Sequence, residues 1–198
     1  MSTDDALAEA AEALREGGLV VFPTETVYGL AADALDPDAI EAAFEAKRRP
    51  REKPLSFAFP DVEAAVEHVA VGETERAFMA EFLPGPVTVV CEKRDSVPDV
   101  LTGGRDRVGV RVPDSEVAVA LLERVAPLTA TSANVSGEPS VTNPAALDPA
   151  FRARVDAVVD AGESPGGTGS TVVDVARGEI LRAGAVGDAV REWLAEHA

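Results

Sequence analysis

The sequence contains few of the residues on which several common kinds of chemistry depend. One cysteine, Cys91, and two histidines, His68 and His197, occur among its 198 residues. A single cysteine excludes an intramolecular disulfide and a cysteine-based zinc cluster, and neither histidine lies in a Ser-His-Asp pattern or at metal-ligand spacing. Covalent hydrolysis and zinc catalysis are therefore poor fits, and the sequence predicts no metal site built by the protein itself.

Long apolar runs are also absent. No run approaches the roughly 18 residues that a membrane-spanning helix needs, and residues 1–18 are acidic and helix-patterned, unlike a secretory signal. Cys91 ends the apolar run 87–90, which predicts a buried and inert thiol. These features predict a cytoplasmic protein that does not contact a membrane.

Lysine is scarce as well, although the chain is strongly charged. Three lysines stand beside fifteen arginines, and the net charge is −17. An acidic surface of this kind could repel nucleic acid and favour basic partners, or it could be an adaptation to a high-salt cytoplasm. The scarcity of lysine and the abundance of Ala, Asp and Glu favour a halophilic protein. In molar salt the Debye length falls to about 3 Å, so the charge would repel little at a distance.

The apolar pattern predicts one domain over residues 1–198 in which helices alternate with strands. Helices are predicted at 4–16, 37–47, 61–69, 74–83, 115–125, 144–153 and 186–196, and strands at 19–22, 55–59, 87–91, 108–112, 128–131, 156–160, 171–175 and 179–182. Several connections are short enough for hairpins. We therefore expect a mixed parallel and antiparallel sheet with helices packed against it, in the α/β or α+β class.

The densest chemical signal is the basic loop, residues 47–55, Lys-Arg-Arg-Pro-Arg-Glu-Lys-Pro-Leu. It holds five basic residues and one acidic residue within a chain of net charge −17. Arginine forks match phosphate oxygens, lysine adds a compact charge, and two prolines stiffen the loop. The loop predicts an anion site, and a solvated basic patch or a nucleic-acid contact is the alternative.

Three further segments place polar groups beside predicted strands. Residues 23–30 carry alternating Thr24, Thr26 and Tyr28, which would share one face of an extended stretch. Residues 129–137 are rich in hydroxyls, and the glycine-rich stretch 166–171 precedes a strand and could hold an anion with backbone N–H groups. Ordinary turns, with Tyr28 packed in the core, are the alternatives.

Two arginines stand in otherwise apolar strands. Arg111 follows Val-Gly-Val, and Arg182 follows Ile-Leu. Such arginines usually meet a carboxylate or a ligand anion, so each predicts either a bound anion or an internal salt bridge.

In this order the segments resemble the YrdC-like family of threonylcarbamoyl-AMP synthases. The matching stretches are Phe-Pro-Thr-Glu-Thr-Val-Tyr-Gly-Leu (22–30), Lys-x-Arg-Pro with Pro-Leu (47–55), Leu-Pro-Gly-Pro-Val-Thr (83–88), Val-Arg-Val-Pro (110–113), Thr-Ser-Ala-Asn-Val-Ser-Gly (131–137), Ser-Thr-Val-Val-Asp (170–174) and Leu-Arg-Ala-Gly-Ala (181–185). Long members of the family append a second domain, so the resemblance is to the short, single-domain form.

The resemblance implies a twisted mixed sheet whose concave, positively charged face binds ATP, threonine and bicarbonate. It implies an ATP site formed by Lys47, Arg49, Arg51, Ser132, Asn134, Ser140 and Arg182, in which Lys47 and Arg49 are also catalytic. It implies a threonine site formed by Thr24, Tyr28, Arg111, Ala130 and Ser170. Mg²⁺ would arrive with the nucleotide.

The implied reaction needs no protein nucleophile. Threonine's amine adds to CO₂, and the carbamate attacks the α-phosphorus of ATP and expels pyrophosphate. Such chemistry depends on positioning and charge neutralisation. The product would pass to the tRNA threonylcarbamoyl transferase machinery, and a weak tRNA contact is expected.

Two other functions remain open on the sequence alone. One is an RNA- or nucleotide-binding module of the same fold without synthase turnover. The other is carbamoyl adenylation, known from related domains in larger hydrogenase-maturation proteins, although this chain has neither the cysteines nor the length of those proteins.

Overall fold

A mixed sheet of ten strands runs through the chain, and the computed structural model describes residues 2–197. The strands lie in the order β10-β9-β5-β6-β3-β7-β2-β1-β8, and β4 pairs with the C-terminal end of β5. The pairs β1/β8, β3/β6 and β5/β9 are parallel and the other pairs are antiparallel. The predicted mixed sheet is confirmed. The strands are β1 (Val20–Phe22), β2 (Gly29–Ala31), β3 (Ser56–Ala58), β4 (Val69–Ala70), β5 (Val87–Lys93), β6 (Arg107–Arg111), β7 (Leu128–Ser132), β8 (Ala157–Val158), β9 (Thr171–Asp174) and β10 (Glu179–Arg182).

Eight α-helices flank the sheet within residues 2–197, and capping side chains mark where several of them begin. Ser2 accepts a hydrogen bond from the Asp5 amide at the start of α1, and Asp36 accepts one from the Asp38 amide just before Pro37 opens α2. No helix in this part of the chain is long and apolar enough to cross a membrane. The helices are α1 (Thr3–Arg15), α2 (Pro37–Lys47), α3 (Val62–Val66), α4 (Glu73–Phe82), α5 (Asp99–Thr102), α6 (Glu116–Leu122), α7 (Pro149–Arg152) and α8 (Gly187–Glu196).

Hydrophobic clusters cover both faces of the sheet, as the alternation of side chains along the strands shows. Val21 and Phe57 belong to the larger cluster, with α2, α4 and α8, whereas Val20 and Ala58 belong to a smaller cluster with α1 and α6. Because α1 and α6 are packed against only part of that second face, its remaining part is free to form a cavity. Cys91 lies in the larger core, where burial raises the pKa of its thiol to about 12, which confirms the predicted buried thiol.

The prediction missed the shortest elements and misjudged one helix. β2, β4 and α5 have two to four residues each, too few to show a hydrophobic period. The continuous helix predicted over 144–153 is wrong. A 3₁₀ turn spans Pro144–Ala146, Leu147 and Asp148 have ψ of 135° and 130°, and α7 begins only at Pro149. Asp148 precedes Pro149, and a residue in that position disfavours the helical conformation. The helix predicted over 115–125 is α6, which ends at Leu122. Its N-cap is Ser115, whose side chain accepts from the Ala118 amide.

Candidate functional site

A cavity of about 510 Å³ lies on the part of the sheet that α1 and α6 leave uncovered. The strands β3, β5, β6, β7 and β9 contribute its floor, and the basic loop and the end of β10 contribute its rim. Eight of the predicted site residues line it: Thr24, Arg49, Arg111, Ala130, Ser132, Ser140, Ser170 and Arg182. Segments far apart in the sequence, which resembled one family only in combination, therefore meet at one place.

The strand β6 turns every second residue toward the cavity. Val108 and Val110 are buried in the larger core, whereas Arg107, Gly109 and Arg111 line the cavity. Arg105, which precedes the strand, lines the cavity as well. A Cβ atom on Gly109 would lie 2.8 Å from Thr88 Cγ2 and would also collide with the Ser56 side chain. Glycine is therefore required where this face of β6 passes between β3 and β5.

Two arginines at the rim are held in place by backbone carbonyls. Arg49 donates to Lys53 O at 2.8 Å and to Pro54 O at 3.0 Å. Arg182 donates to Ser170 O from Nε at 3.2 Å and from Nη2 at 2.9 Å, and to Ser170 Oγ at 3.1 Å. None of the salt bridges within residues 2–197 involves Arg49 or Arg182. Carbonyls orient these two guanidinium groups without neutralising them.

The electrostatics of the cavity show that its cations are close together. Burial lowers the pKa of Arg49, and the charge of Arg182 lowers it further. Burial also lowers the pKa of Arg182, with Arg111 as the second cause. The charge of each arginine thus affects the pKa of a neighbouring arginine. The cavity therefore concentrates positive charge inside a protein of net charge −17. Such a site attracts an anion with several charges.

The third arginine, Arg111, has a protein carboxylate beside it. Its Nη2 donates to Glu25 Oε1 at 2.7 Å and to Thr26 Oγ1 at 2.9 Å, and Thr26 Oγ1 lies 2.9 Å from Thr24 Oγ1. Burial lowers the pKa of Arg111, while Glu25 acts in the opposite direction. Within the described residues, Nη2 makes all the hydrogen bonds of this guanidinium, so Nε and Nη1 can bind a ligand carboxylate.

Hydroxyl groups line the cavity between these arginines. Ser170 Oγ lies 2.9 Å from Thr88 Oγ1, and Ser132 and Ser140 approach from β7 and the loop after it. A hydroxyl can donate to a phosphate or carboxylate oxygen without adding charge. The described residues contain no group of three His, Cys, Asp or Glu side chains that could hold a metal ion.

The structure places Lys47 beneath the cavity instead of in its lining. The side chain is only 1% exposed, and Nζ donates to Asn134 O at 2.8 Å and to Ser132 O. Burial lowers the pKa of Lys47 to about 7, and the charge of Arg49 contributes to the shift. Lys47 thus ties the backbone of residues 132–134 to α2, and its assignment to the ATP site stays a prediction.

Arg51 and Asn134 also lie outside the lining. Arg51 is exposed, pairs with Glu41 and lies 5.2 Å from the centre of the Phe44 ring. Asn134 Nδ2 donates to Val135 O and Glu138 O, both at 2.8 Å, so it shapes the loop of which it is part. Neither side chain is part of the cavity lining, and the assignment of both residues to the ATP site stays a prediction.

Tyr28 is the fourth predicted site residue that lies outside the cavity lining. It is fully buried in the larger core, and its hydroxyl donates to Gly162 O at 2.6 Å and accepts from the Ala161 amide. The alternation of Thr24, Thr26 and Tyr28 fails because residues 23–28 form a bend instead of an extended strand. Thr24 and Thr26 face the cavity, and Tyr28 faces the other way.

Several lining residues were missed from the sequence. Arg105 and Arg107 line the cavity together with Thr88 and the exposed Leu181. The pattern Arg-Asp-Arg-Val-Gly-Val-Arg (105–111) was a usable signal, because alternate residues of a strand share a face. Once Arg111 is chosen as a ligand contact, Arg107 follows because it is on the same face of β6, whereas Arg105 lies before the strand begins.

Known proteins match this chain along most of its length. Residues 12–184 match the family model Sua5_yciO_yrdC, described as "Telomere recombination". The chain is 43% identical over 170 residues to threonylcarbamoyl-AMP synthase from Pyrococcus abyssi, covering 84% of this chain and 49% of the relative. It is 39% identical over 181 residues to the protein of the same name from Bacillus subtilis, covering 89% and 52%. The chain thus spans about half the length of these two relatives.

Solved structures match the fold as well. The crystal structure of P. abyssi Sua5 complexed with L-threonine aligns with a TM-score of 0.87 at 40% identity, over 93% of this chain and 55% of that one. E. coli YciO aligns with a TM-score of 0.82 over 93% and 91%, and at 24% identity it supports the fold alone.

Proposed function

Because the chain belongs to the Sua5, YciO and YrdC family, we propose that it is an L-threonylcarbamoyladenylate synthase, a nucleotidyltransferase. It makes threonylcarbamoyl-AMP and pyrophosphate from L-threonine, bicarbonate or CO₂, and ATP, for N6-threonylcarbamoyladenosine modification of tRNA. The names of the relatives from P. abyssi and B. subtilis and the threonine complex of P. abyssi Sua5 support this proposal.

The observation that carries the proposal is the group of three arginines around one cavity. Arg49, Arg111 and Arg182 converge there, and Arg49 and Arg182 have no carboxylate partner among the described residues. Three cations match the joint charge of a nucleotide and an amino-acid carboxylate better than that of a single small anion.

The two ends of the cavity suit different substrates. At the enclosed end, the threonine site that we propose consists of Thr24, Arg111, Ala130 and Ser170, where Arg111 Nε and Nη1 are free to receive the carboxylate. Elsewhere in the cavity, Arg49, Ser132, Ser140 and Arg182 line the space that we assign to ATP. Arg182 lies on Ser170 and so joins the two regions.

The reaction follows from this arrangement. The threonine amine loses a proton and forms a C–N bond with CO₂. An oxygen of the resulting carbamate then bonds to the α-phosphorus, and the bond from that phosphorus to pyrophosphate breaks. Arg49 and Arg182 neutralise charge on the phosphoryl oxygens, and the enclosed site brings carbamate and phosphorus together. Mg²⁺ enters as part of the nucleotide substrate.

Lys47, Arg51, Asn134 and Tyr28 act indirectly in this proposal. Lys47 and Asn134 hold the loop that presents Ser132. Arg51 braces the basic loop against α2 by its contacts with Glu41 and Phe44, and Tyr28 anchors the segment around Gly162. Loss of any of them would disturb the site without removing a direct contact to substrate.

The wider setting is also part of the proposal. Residues 1–198 form one domain, which the single continuous sheet supports. The protein works in a high-salt cytoplasm, and it passes its product to a tRNA threonylcarbamoyl transferase machinery.

A second candidate function rests on the outer side of the basic loop. Arg48, Arg51 and Lys53 are exposed there, and exposed cations of this kind bind nucleic-acid phosphates. The alternative is an RNA- or nucleotide-binding module without synthase turnover.

Pyrophosphate release separates the two functions. The synthase should release pyrophosphate from ATP only when threonine and bicarbonate are both present, and serine or glycine in place of threonine should support far less release. Release that does not depend on threonine would overturn the proposed substrate. Tight RNA binding without any pyrophosphate release would favour the binding module.

A further inference from the structure

The arginine row consists of Arg111 and Arg107 on β6 and of Arg105, which lies two residues before the strand begins. Arg105, Arg107, Gly109 and Arg111 all line the cavity. At about 3.3 Å per residue along a strand, the Cα atoms of Arg107 and Arg111 are about 13 Å apart. Arg105 precedes β6 and is exposed, whereas Arg111 is buried, so the row carries positive charge from the enclosed end to the open end.

The surroundings of the two ends differ. Arg111 is buried beside Thr24 and Thr26, whereas Arg105 is exposed. A small substrate that must be desolvated suits the enclosed end. A highly charged group that must leave into solvent suits the open end.

The geometry of in-line displacement indicates which end of the cavity would hold the attacking group and which would hold the leaving group. The attacking carbamate oxygen and the departing oxygen lie on opposite sides of the α-phosphorus. If threonine is held at Arg111, as the proposed function has it, the carbamate approaches from that end. The β- and γ-phosphates must then extend away from Arg111, in the direction of Arg107 and Arg105.

The charge on Arg105 is available for such a group. Its Nη2 donates to Glu52 O at 2.8 Å, which ties it to the basic loop, and no salt bridge within residues 2–197 involves it. Arg107 differs, because Asp174 Oδ1 lies 2.8 Å from its Nη2. Arg107 therefore supports the row, and Arg105 supplies its uncompensated charge.

We propose that Arg105, supported by Arg107, binds the β- and γ-phosphates of ATP, which become the pyrophosphate leaving group. This subsite rests on the proposed function for its orientation. It gives the arginines of the cavity different roles. Arg111 binds the threonine carboxylate, Arg49 and Arg182 contact the reacting phosphoryl group, and Arg105 holds the group that departs.

Binding of inorganic pyrophosphate, ATP and AMP to Arg105→Ala tests the subsite by isothermal titration at one fixed salt concentration. Loss of a charge-assisted contact should lower the affinity for pyrophosphate and for ATP by about tenfold or more. The affinity for AMP should stay within about twofold of the wild-type value. Arg191→Ala is the control, since Arg191 pairs with Asp188 on α8 and lies outside the cavity lining; it should change none of the three.

Two results would overturn the subsite. In the first, the affinity for AMP falls as much as the affinity for ATP, which would mean that Arg105 shapes the whole cavity. In the second, ATP and pyrophosphate bind the variant with wild-type affinity. Failure of the proposed function would look different. The wild type would bind all three ligands and Arg105→Ala would lose affinity for pyrophosphate and ATP only, yet no adenylate would form with threonine and bicarbonate. In that case the phosphate subsite is supported and the synthase reaction is contradicted.

Discussion

Arg111 Nη2 donates to Glu25 Oε1 at 2.7 Å, and this ion pair is enclosed at the end of the cavity. The two side chains are 9% and 13% exposed. The other carboxylate oxygen, Glu25 Oε2, is buried without a hydrogen-bond partner among the described residues. The pair joins the bend after β1 to β6 and keeps the arginine side chain aligned beside the cavity.

Glu25→Ala should therefore destabilise the protein. Removing one partner of a buried pair leaves an uncompensated charge and costs about 3–5 kcal/mol. The measurement is the free energy of unfolding from denaturant titration. Glu12→Ala is the control, because Glu12 and its partner Arg15 are 68% and 52% exposed, and such a pair is worth at most about 1 kcal/mol. Equal losses in the two variants would contradict a structural role for the Glu25–Arg111 pair.

Lys47 should leave a signature in the pH dependence of stability. Burial lowers its pKa in the folded protein from an ordinary value of 10.5 to about 7. Between these pH values the unfolded chain holds a proton that the folded protein has lost, so the free energy of unfolding should rise with pH. The cost of burying the ammonium is complete below pH 7 and has disappeared above pH 10.5.

Comparison with Lys47→Met isolates this effect from other titrating groups. The difference in unfolding free energy between wild type and Lys47→Met should shift in favour of the wild type from pH 7 to pH 10.5. The variant should also lose synthase activity, because the bonds to Ser132 O and Asn134 O are gone. A difference that stays constant over this pH range would mean that Lys47 keeps an ordinary pKa.

Arg182 and Arg51 form a pair of predictions with opposite outcomes. Arg182→Ala removes a guanidinium that lines the cavity and should lower kcat/KM by about 10²–10³-fold, as the loss of one preorganised donor commonly does. Arg51→Ala removes an exposed arginine paired with Glu41 and should change kcat/KM by no more than a few-fold. Steady-state assays of pyrophosphate release measure both. A larger loss in Arg51→Ala would restore Arg51 as a direct phosphate ligand.

Most of the fold and the family could be predicted from the sequence. Helix caps and apolar periods are local patterns, and the family is indicated by several motifs that follow one another in a fixed order. Capped helices such as α2 and apolar strands such as β1 have the expected period and boundaries. The predicted resemblance is confirmed by the family match over residues 12–184. The cavity residues Arg49, Arg111, Ser170 and Arg182 were chosen from motifs, and the structure brings them together.

The remaining errors concern where side chains point. The positive character of Lys47 was evident in the sequence, but its carbonyl partners at 132 and 134 belong to a loop 85 or more residues away. Tyr28 was placed with Thr24 by parity, and a bend changes that parity. Local patterns cannot show such long-range contacts, so the threonine and ATP contacts assigned to individual residues stay predictions.

Salt should stabilise the protein strongly. The net charge of −17 produces self-repulsion in dilute buffer, and ions at molar concentration screen it within about 3 Å. We expect full folding only at high ionic strength, with a melting temperature that rises steadily with KCl. A melting temperature that is the same in dilute and in molar KCl would contradict adaptation to a high-salt cytoplasm.

Incorporation of labelled bicarbonate tests the proposed synthase activity most directly. The purified protein is incubated with ATP, Mg²⁺, L-threonine and ¹³C-bicarbonate, and the adenylates are identified by mass spectrometry. We expect threonylcarbamoyl-AMP that carries the labelled carbon, in amounts equal to the pyrophosphate released, and none when threonine is omitted. An adenylate without the label, or no adenylate although ATP binds in the cavity, would contradict the synthase assignment.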